Sequence, residues 1–558
     1  MSQYIATVID TTGIQPYIFG SNRLRENIGA SYLVDKATDD WVKVALHHQF
    51  GENAYIPSQD GEDKRIERDE LDAELVYAGG GNAVILFKDL DCATRFTKFL
   101  SEKVLREAPG LKIVVAHSQF FDWGNKLSCI IDDLIKKLEQ KKREYNPSVP
   151  LIGLGVTANC ISTGLCAVDT SDSYSVPTSY PVSREIVEKL RAVDSKNGEP
   201  ANKQLKNKIF DGLELGDYQI PYDVDDLGRT EGRISYIAIV HADGNSMGAR
   251  FKEYGRNKPD RQYISDIRNL SEKVNEAGIT AIRKVAEKVI KSIDSEGKIE
   301  GQFPLKERDG KKYLPFRPIV YGGDDVTFVC DGRFGLTLAA LYLKVFEAEK
   351  NKIPDGKDLT ACAGIAIVKT HYPFARAYQL SESLCRNAKN FVRDEKEWLG
   401  GSDFSALDWH IAASGLLGSI SDIRKREYRV SEGNLTMRPI YLQSEKDWRN
   451  WADFSKVVHD FNTHPNWAGR RNKVVALREQ LRQGSEKTKQ FLQIYGLDKD
   501  YLPRFSAANS DFHQSGWADV AKLNSGGERV CAYFDAIEAM EFHVPLKEKN
   551  GGDLPSEN

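Results

Sequence analysis

Gly322-Gly323-Asp324-Asp325 lies inside the apolar run RPIVYGGDDVTFVCD. Val320 and Tyr321 precede the tetrad, and Val326, Phe328 and Val329 follow it, a pattern that predicts strand, tight turn, strand. Paired glycines let the backbone turn sharply and let a ligand come close, because no Cβ stands in the way. Two adjacent carboxylates repel each other unless a positive charge sits between them. A divalent cation carrying a nucleoside triphosphate is the chemistry that supplies one. The plain alternative is a solvated turn rich in Gly and Asp.

A second segment, ISYIAIVHADGNSMG (234–248), adds a third carboxylate. The apolar run Ile234 to Val240 predicts a central strand buried on both faces, and it leads directly into Asp243. Asp243 beside the tip carboxylates Asp324 and Asp325 has the composition of a two-metal phosphoryl-transfer site. One metal would activate a ribose hydroxyl, and the other would steady the triphosphate and the leaving pyrophosphate. Gly244, Asn245 and Ser246, with Gly322 and Gly323, are the expected nucleotide-facing positions, and Gly244 and Gly248 keep the turn open. The alternative for Asp243 is a cap on the following helix.

The surrounding elements must position these groups. Residues 334–350 read as a helix, 359–370 as an apolar strand, and 374–390 as an amphipathic helix with Lys389 near its end. Lys389 could reach a triphosphate or remain a solvated surface lysine. Strand, helix, hairpin, helix, strand is met compactly by a ferredoxin-like βαββαβ module. The same order occurs earlier: a strand at 4–10, a helix at 23–46, a strand–turn–strand at 73–88, a helix at 92–108 and a strand at 111–120. The earlier tip is Gly79-Gly80-Gly81-Asn82. It can approach a nucleotide but lacks the paired Asp, although Asp10 remains at its first strand end. The expected fold class is therefore α+β: two ferredoxin-like (βαββαβ) modules in tandem plus a helical C-terminal domain.

The chain resembles the large polymerase/cyclase subunit of type III CRISPR complexes, within the wider GGDEF-type and CRISPR-type palm superfamily. The resemblance rests on GIQPYIFGSNRLRENIGASYLV (13–34), YAGGGN, HADGNSMG, YGGDD and CAGIAIVKTHYPFARAYQLSESLCRNAK (362–389), in that order over about the first 400 residues. It implies a metal-dependent nucleotidyltransferase that joins ATP or other NTPs into a cyclic oligonucleotide, a second messenger of antiviral defence. Mg²⁺ or Mn²⁺ would sit at Asp243, Asp324 and Asp325, with one nucleotide at each module. CRISPR complex subunits and RNA are the implied partners. Departures from the family pattern are also visible. The chain starts directly with the first palm, without the HD-type nuclease domain, and the His459-Asp460 pair reads as chance. Asn245 stands where the family usually has a second Asp. Cys160 and Cys166 form a C-x5-C pair without a second pair and read as buried thiols rather than a zinc site.

A noncatalytic nucleotide-binding scaffold is the second function class, with Asn245 as a step toward inactivity. A templated polymerase is the third, and it would need a basic strand channel that a formal charge of −4 does not advertise. A basic cluster of Arg470, Arg471 and Lys473 beside Trp467 reads as a solvated helix start, or else as a platform for a base. The length of 558 residues fits three or four domains. Boundaries fall at 1–175 for the first palm, 176–232 for a connector, 233–400 for the second palm, 401–545 for the helical domain and 546–558 for a disordered tail. Eight scattered Cys and the lack of a long apolar run point to a cytoplasmic protein with no membrane segment.

Overall fold

The computed structural model describes residues 3–57, 64–124, 126–144, 154–227, 235–300, 303–397, 400–412, 418–444, 447–497, 502–506, 512–522 and 525–546. In the first module β1 (Gln3–Thr12) leads to α1 (Leu24–Asp35), which continues through a π-helical turn at Lys36–Asp40 into a helix at Trp41–Phe50. Then come β2 (Ala73–Gly79), β3 (Asn82–Phe87), α2 (Leu90–Glu107), β4 (Lys112–His117) and α3 (Leu127–Glu144). The sheet order is β2-β3-β1-β4, and these neighbours are all antiparallel.

The second module follows the same plan. Its elements are β5 (Tyr236–Gly244), α4 (Asp260–Lys291), β6 (Phe316–Gly322), β7 (Asp325–Asp331), α5 (Gly335–Ala348), β8 (Ala361–Lys369) and α6 (Phe374–Glu395). The order is β6-β7-β5-β8, again antiparallel. The apolar run in β5 is explained by its place. Ala238, Val240 and Ala242 enter the core of the second module, while Ile237 and Ile239 enter a core shared with the first. A central strand that buries both faces has no polar alternation to show.

The 32-residue helix α4 is the largest element that periodicity did not single out. Ile264, Ile267, Leu270, Val274, Ala277, Ala281, Val285 and Val289 recur at three- and four-residue steps and are buried, so one stripe faces the core along the whole length. Its first residue, Asp260, is 1% exposed and accepts backbone hydrogen bonds from Gly124 at 2.8 Å and Leu127 at 2.9 Å, which ties α4 to the first module.

The C-terminal part departs from the expectation of a mostly helical domain. β9 (Ala406–Ala412) pairs in parallel with β8, so the second sheet runs past residue 400. His410, Ile411 and Ala412 were expected in a helix but end this strand, because pairing along β8 outweighs local helical pattern. Helices follow at Ile420–Glu427, Trp451–Thr463, Arg471–Arg482 and Ser485–Ile494. The last two are separated at Gly484, whose φ of 103° ends the helical path. A hairpin of Trp517–Lys522 and Ser525–Cys531 completes a small four-stranded sheet. Ile234 and the tail from 547 onward lie outside the described residues. Among the described residues, no helix is long and apolar enough to cross a membrane.

Candidate functional site

The antiparallel register of β5 and β7 places Asp243 directly opposite Asp325. Asp324 is joined to the same strand end, because the Gly244 amide donates to the Asp324 carbonyl at 3.0 Å. A β-carbon on Gly244 would stand 2.8 Å from Asp324 Cβ, so the glycine is what lets β5 and the tip close together. Gly322 and Gly323 adopt φ of 127° and 68°, which an L side chain rarely tolerates. The tetrad is therefore a real hairpin tip, with its acidic pair turned onto the end of the central strand.

Two parts of the tip's support were not visible in the motif. Asn275 of α4 accepts from the Gly323 amide at 2.9 Å. Gly278, one turn further on, lets the Gly323 carbonyl lie against the helix, where an added β-carbon would be 2.1 Å from that oxygen. A glycine in the middle of a helical pattern was the available signal. Lys389 of α6 reaches the site rather than solvent: its Nζ donates to Asp243 Oδ2 at 2.6 Å and to the Gly244 carbonyl at 3.0 Å. Burial pulls the Lys389 pKa down, but the charge and hydrogen bond of Asp243 outweigh it, and the ammonium stays protonated above the ordinary lysine value.

The electrostatics are those of crowded carboxylates. Burial, with Asp243 and then Asp325 as like-charged neighbours, pushes Asp324 up to about 7. Asp325 is likewise pushed up to about 7 by burial and by Asp243. The Asp325 side chain keeps 39% of its surface, yet its Oδ1 is buried and makes no hydrogen bond. His241 Nδ1 lies 3.3 Å from that oxygen, but it is engaged with Thr327 Oγ1 at 3.1 Å, and burial holds the imidazole neutral. An orphaned carboxylate oxygen beside two more acids matches the all-oxygen donor set of a hard divalent cation. Asp243, Asp324 and Asp325 thus fit such an ion by chemistry. Lys389 supplies the local positive charge, and among the described residues no three acidic, His or Cys groups are gathered as metal ligands.

Other expected residues divide. Asn245 is 6% exposed and turns into the fold, where Nδ2 donates to Thr360 Oγ1 and to the Phe404 carbonyl, both at 3.0 Å. It neither faces the carboxylates nor stands in for a missing ligand; it fastens β5 to the strands beyond. Ser246 adopts φ of 59° and donates to Asp403 at 2.9 Å, away from the tip. Cys160 is buried and Cys166 half-buried, both as free thiols. The basic cluster is no stacking platform: Trp467 is 2% exposed, Lys473 donates to the Asn466 carbonyl at 3.2 Å, and Arg471 pairs with Glu541. His459 and Asp460 sit within the Trp451–Thr463 helix.

The first module repeats the site's frame without the two acids of the tip. Asp10 is opposite Asn82 in the register of β1 and β3, as Asp243 is opposite Asp325. Lys142 of α3 donates to Asp10 Oδ2 at 2.6 Å, as Lys389 does to Asp243. The Thr11 amide donates to the Gly81 carbonyl at 3.0 Å, as Gly244 does to Asp324. Gly81 thus occupies the place of Asp324. It has φ of 91°, and a β-carbon there would stand 2.8 Å from Ile14 Cδ1 and 3.0 Å from Thr11 Oγ1. Gly79 and Gly80 also have positive φ, at 136° and 62°, and a β-carbon at either would meet nothing within 4 Å, whereas 81 is closed to a carboxylate side chain.

Residues 236–397 match the family model of Cas10/Cmr2, second palm domain. The chain also resembles solved structures. Csm1 in T. onnurineus aligns at 12% identity with a TM-score of 0.50, over 98% of this chain and 70% of that one. A Csm1-Csm4 cassette in complex with cA3 gives the same values. Against a Csm1-Csm4 cassette in complex with cA4, the TM-score is 0.46 at 12% identity, over 88% of this chain. There the chain spans 64% of the other's length. No curated protein matches the chain.

Proposed function

We propose that this Cas10-like palm protein is a metal-dependent nucleotidyltransferase that makes cyclic oligonucleotides, from ATP in the first instance, as second messengers of CRISPR-type antiviral defence. The observation that carries the reading is the in-register opposition of Asp243 and Asp325, with Asp324 beside them and Lys389 on Asp243. The strand order β2-β3-β1-β4, repeated as β6-β7-β5-β8, supports reading the modules as tandem ferredoxin-like palms. We assign the first palm to 1–175 and the connector to 176–232. The second palm begins near 233 and takes in β9.

Asp243, Asp324 and Asp325 would hold Mg²⁺ or Mn²⁺, which when bound lowers the pKa of a ribose hydroxyl and neutralises triphosphate charge. Lys389 offers its ammonium to phosphate oxygens once Asp243 is otherwise occupied. The tip Gly322-Gly323 lets the nucleotide approach backbone, and Gly79-Gly80-Gly81-Asn82 offers the second nucleotide a similar surface. A ribose oxygen of one nucleotide bonds to the α-phosphorus of the other, the bond to pyrophosphate breaks, and the hydroxyl proton goes to solvent. Positioning accounts for most of the acceleration in such transfers. We further propose that the protein is cytoplasmic. A solved Csm1 structure is a cassette with Csm4, and we propose comparable docking to CRISPR complex subunits and RNA.

A noncatalytic nucleotide-binding scaffold has one observation in its favour: Lys389 already neutralises Asp243. Incubation with α-labelled ATP and Mg²⁺ or Mn²⁺ separates the two. The enzyme releases pyrophosphate and forms a phosphatase-resistant product that the Asp324→Ala/Asp325→Ala variant does not form. Nucleotide binding without product, alone and with CRISPR RNA-protein complex added, establishes the scaffold.

A further inference from the structure

Both tip-bearing hairpins carry a β-bulge at the same place. The register shifts between Leu75 and Tyr77 in β2 and between Pro318 and Val320 in β6. Val76 and Ile319 are therefore the extra residues, each three positions before the first tip glycine. A bulge bends its strand, and it leaves backbone groups that the ladder does not satisfy. In each hairpin the missing donor comes from the opposite module. Arg268 of α4 donates from Nε to the Val76 carbonyl at 3.2 Å and from Nη2 to the Leu75 carbonyl at 2.9 Å. Ser31 of α1 donates to the Ile319 carbonyl at 2.5 Å.

The two grips differ in strength. Glu74, next to this bulge, is wholly buried and receives Arg268 Nη2 at 3.2 Å and Arg261 at 2.6 and 2.9 Å. Charge-assisted bonds of this kind are roughly twice as strong as neutral ones. The matching position in β6 is Arg317, which is 1% exposed and donates to the Pro221 carbonyl at 2.9 Å and to Asn202 at 3.3 Å. Among the described residues it has no carboxylate ion pair, and its hold comes from the connector. Among the described residues, the one side-chain hydrogen bond from the first module to this bulge is thus the Ser31 hydroxyl's, set beside the apolar packing of Ile319 in the shared core.

We propose that α4 is a rigid spacer between the two glycine tips, with Arg268 and Ser31 as positioning residues that each set the tip of the other module. Arg268 and Asn275 are seven residues apart, two turns on one helix face, or about 10 Å along the axis. Arg268 grips the strand of the first tip while Asn275 and Gly278 seat the second. Neither tip is placed by its own module alone, so the two sites assemble as a pair. For nucleotide transfer this matters because the reacting groups would come from opposite tips; that consequence rests on the function proposed above, whereas the grip itself does not.

Hydrogen exchange of the ligand-free protein tests the grip without relying on turnover. In Ser31→Ala, amides of residues 322–327 exchange faster by about tenfold, the loss of one hydrogen bond, while those of 79–84 stay unchanged. In Arg268→Lys, which keeps charge beside Glu74 but cannot span both carbonyls, the pattern reverses. Uniform acceleration, acceleration confined to the mutated module, or no change overturns the proposal. Steady-state turnover of ATP is read alongside. Failure of the wild type to form product, alone and with CRISPR RNA-protein complex added, with the crossed exchange pattern intact refutes the function and leaves the spacer standing. Product formation with unaltered exchange refutes the spacer and leaves the function standing.

Discussion

Gly278→Ala is a one-carbon test of whether the acidic tip must sit where it does. The added carbon would stand 2.1 Å from the Gly323 carbonyl oxygen, where ordinary contact begins near 3.4 Å. Something must give by about 1.3 Å. One face of the helix is packed in the core along its length, while among the described residues the tip's hydrogen bond to α4 is Asn275–Gly323, so the tip is the part that moves. Overpacking costs about 1–3 kcal/mol. Alanine in place of glycine in a helix interior returns about 1 kcal/mol. Net stability therefore changes by roughly 0–2 kcal/mol, small against a whole fold. A displacement near 1 Å at a reacting centre costs on the order of 100-fold in rate. The assay is pyrophosphate release from ATP with Mn²⁺, read beside a denaturant melt. A variant that melts like the wild type but turns over about 100-fold more slowly meets the expectation. Full turnover with a normal melt would refute the idea that α4 sets the tip.

Three further outcomes follow from the same geometry. Asn245→Asp installs the second Asp that the resemblance implies at this position, but it points a carboxylate at the Phe404 carbonyl in a buried site; we expect a loss of about 3 kcal/mol in denaturant unfolding and no gain in Mn²⁺ affinity by calorimetry. Lys389→Ala frees Asp243 of its ammonium; Mn²⁺ alone should bind more tightly, while Mn²⁺-ATP should bind about tenfold more weakly, and parallel losses in both titrations would contradict the assigned role. Asp325 ionises near 7 in the metal-free fold rather than near its ordinary 3.8. The fold therefore holds a proton that the unfolded chain has lost, so metal-free stability falls as pH rises from about 4 to 7. Asp325→Asn should stabilise at pH 8 and not at pH 4. A fully dry carboxyl would give about 4 kcal/mol, and screening at this part-exposed tip reduces that to roughly 1–2 kcal/mol. Equal melting midpoints at both pH values would count against the buried carboxylate.

The elements that make the site were legible because their signals are local. The glycine runs at 79–81 and 322–323 marked both tips, and the unbroken apolar run into Asp243 marked a strand covered on both faces. The repeat was legible too, and carrying it one helix further would have matched Lys142 to Lys389. The C-terminal part was less legible: β9 forms only because β8 offers an edge to pair with, and a residue's own pattern does not report its neighbour's edge.

By itself the sequence determined which residues could turn tightly, which strands were buried, and that three carboxylates would lie near strand ends. Hydrophobic periodicity and glycine conformational freedom are properties of short segments and need no partner to be read. Only the tertiary structure decided where the polar side chains point. Lys389 lies 146 residues from Asp243, Ser31 lies 288 from Ile319, and Arg268 lies 193 from Leu75. It turned Asn245 inward to Thr360 and Phe404, and it closed Ile14 and Thr11 around Gly81. Such contacts depend on how helices cross sheets and how one module seats on the other, and a polar residue shows the same local pattern whether its partner is water, a carbonyl or a carboxylate.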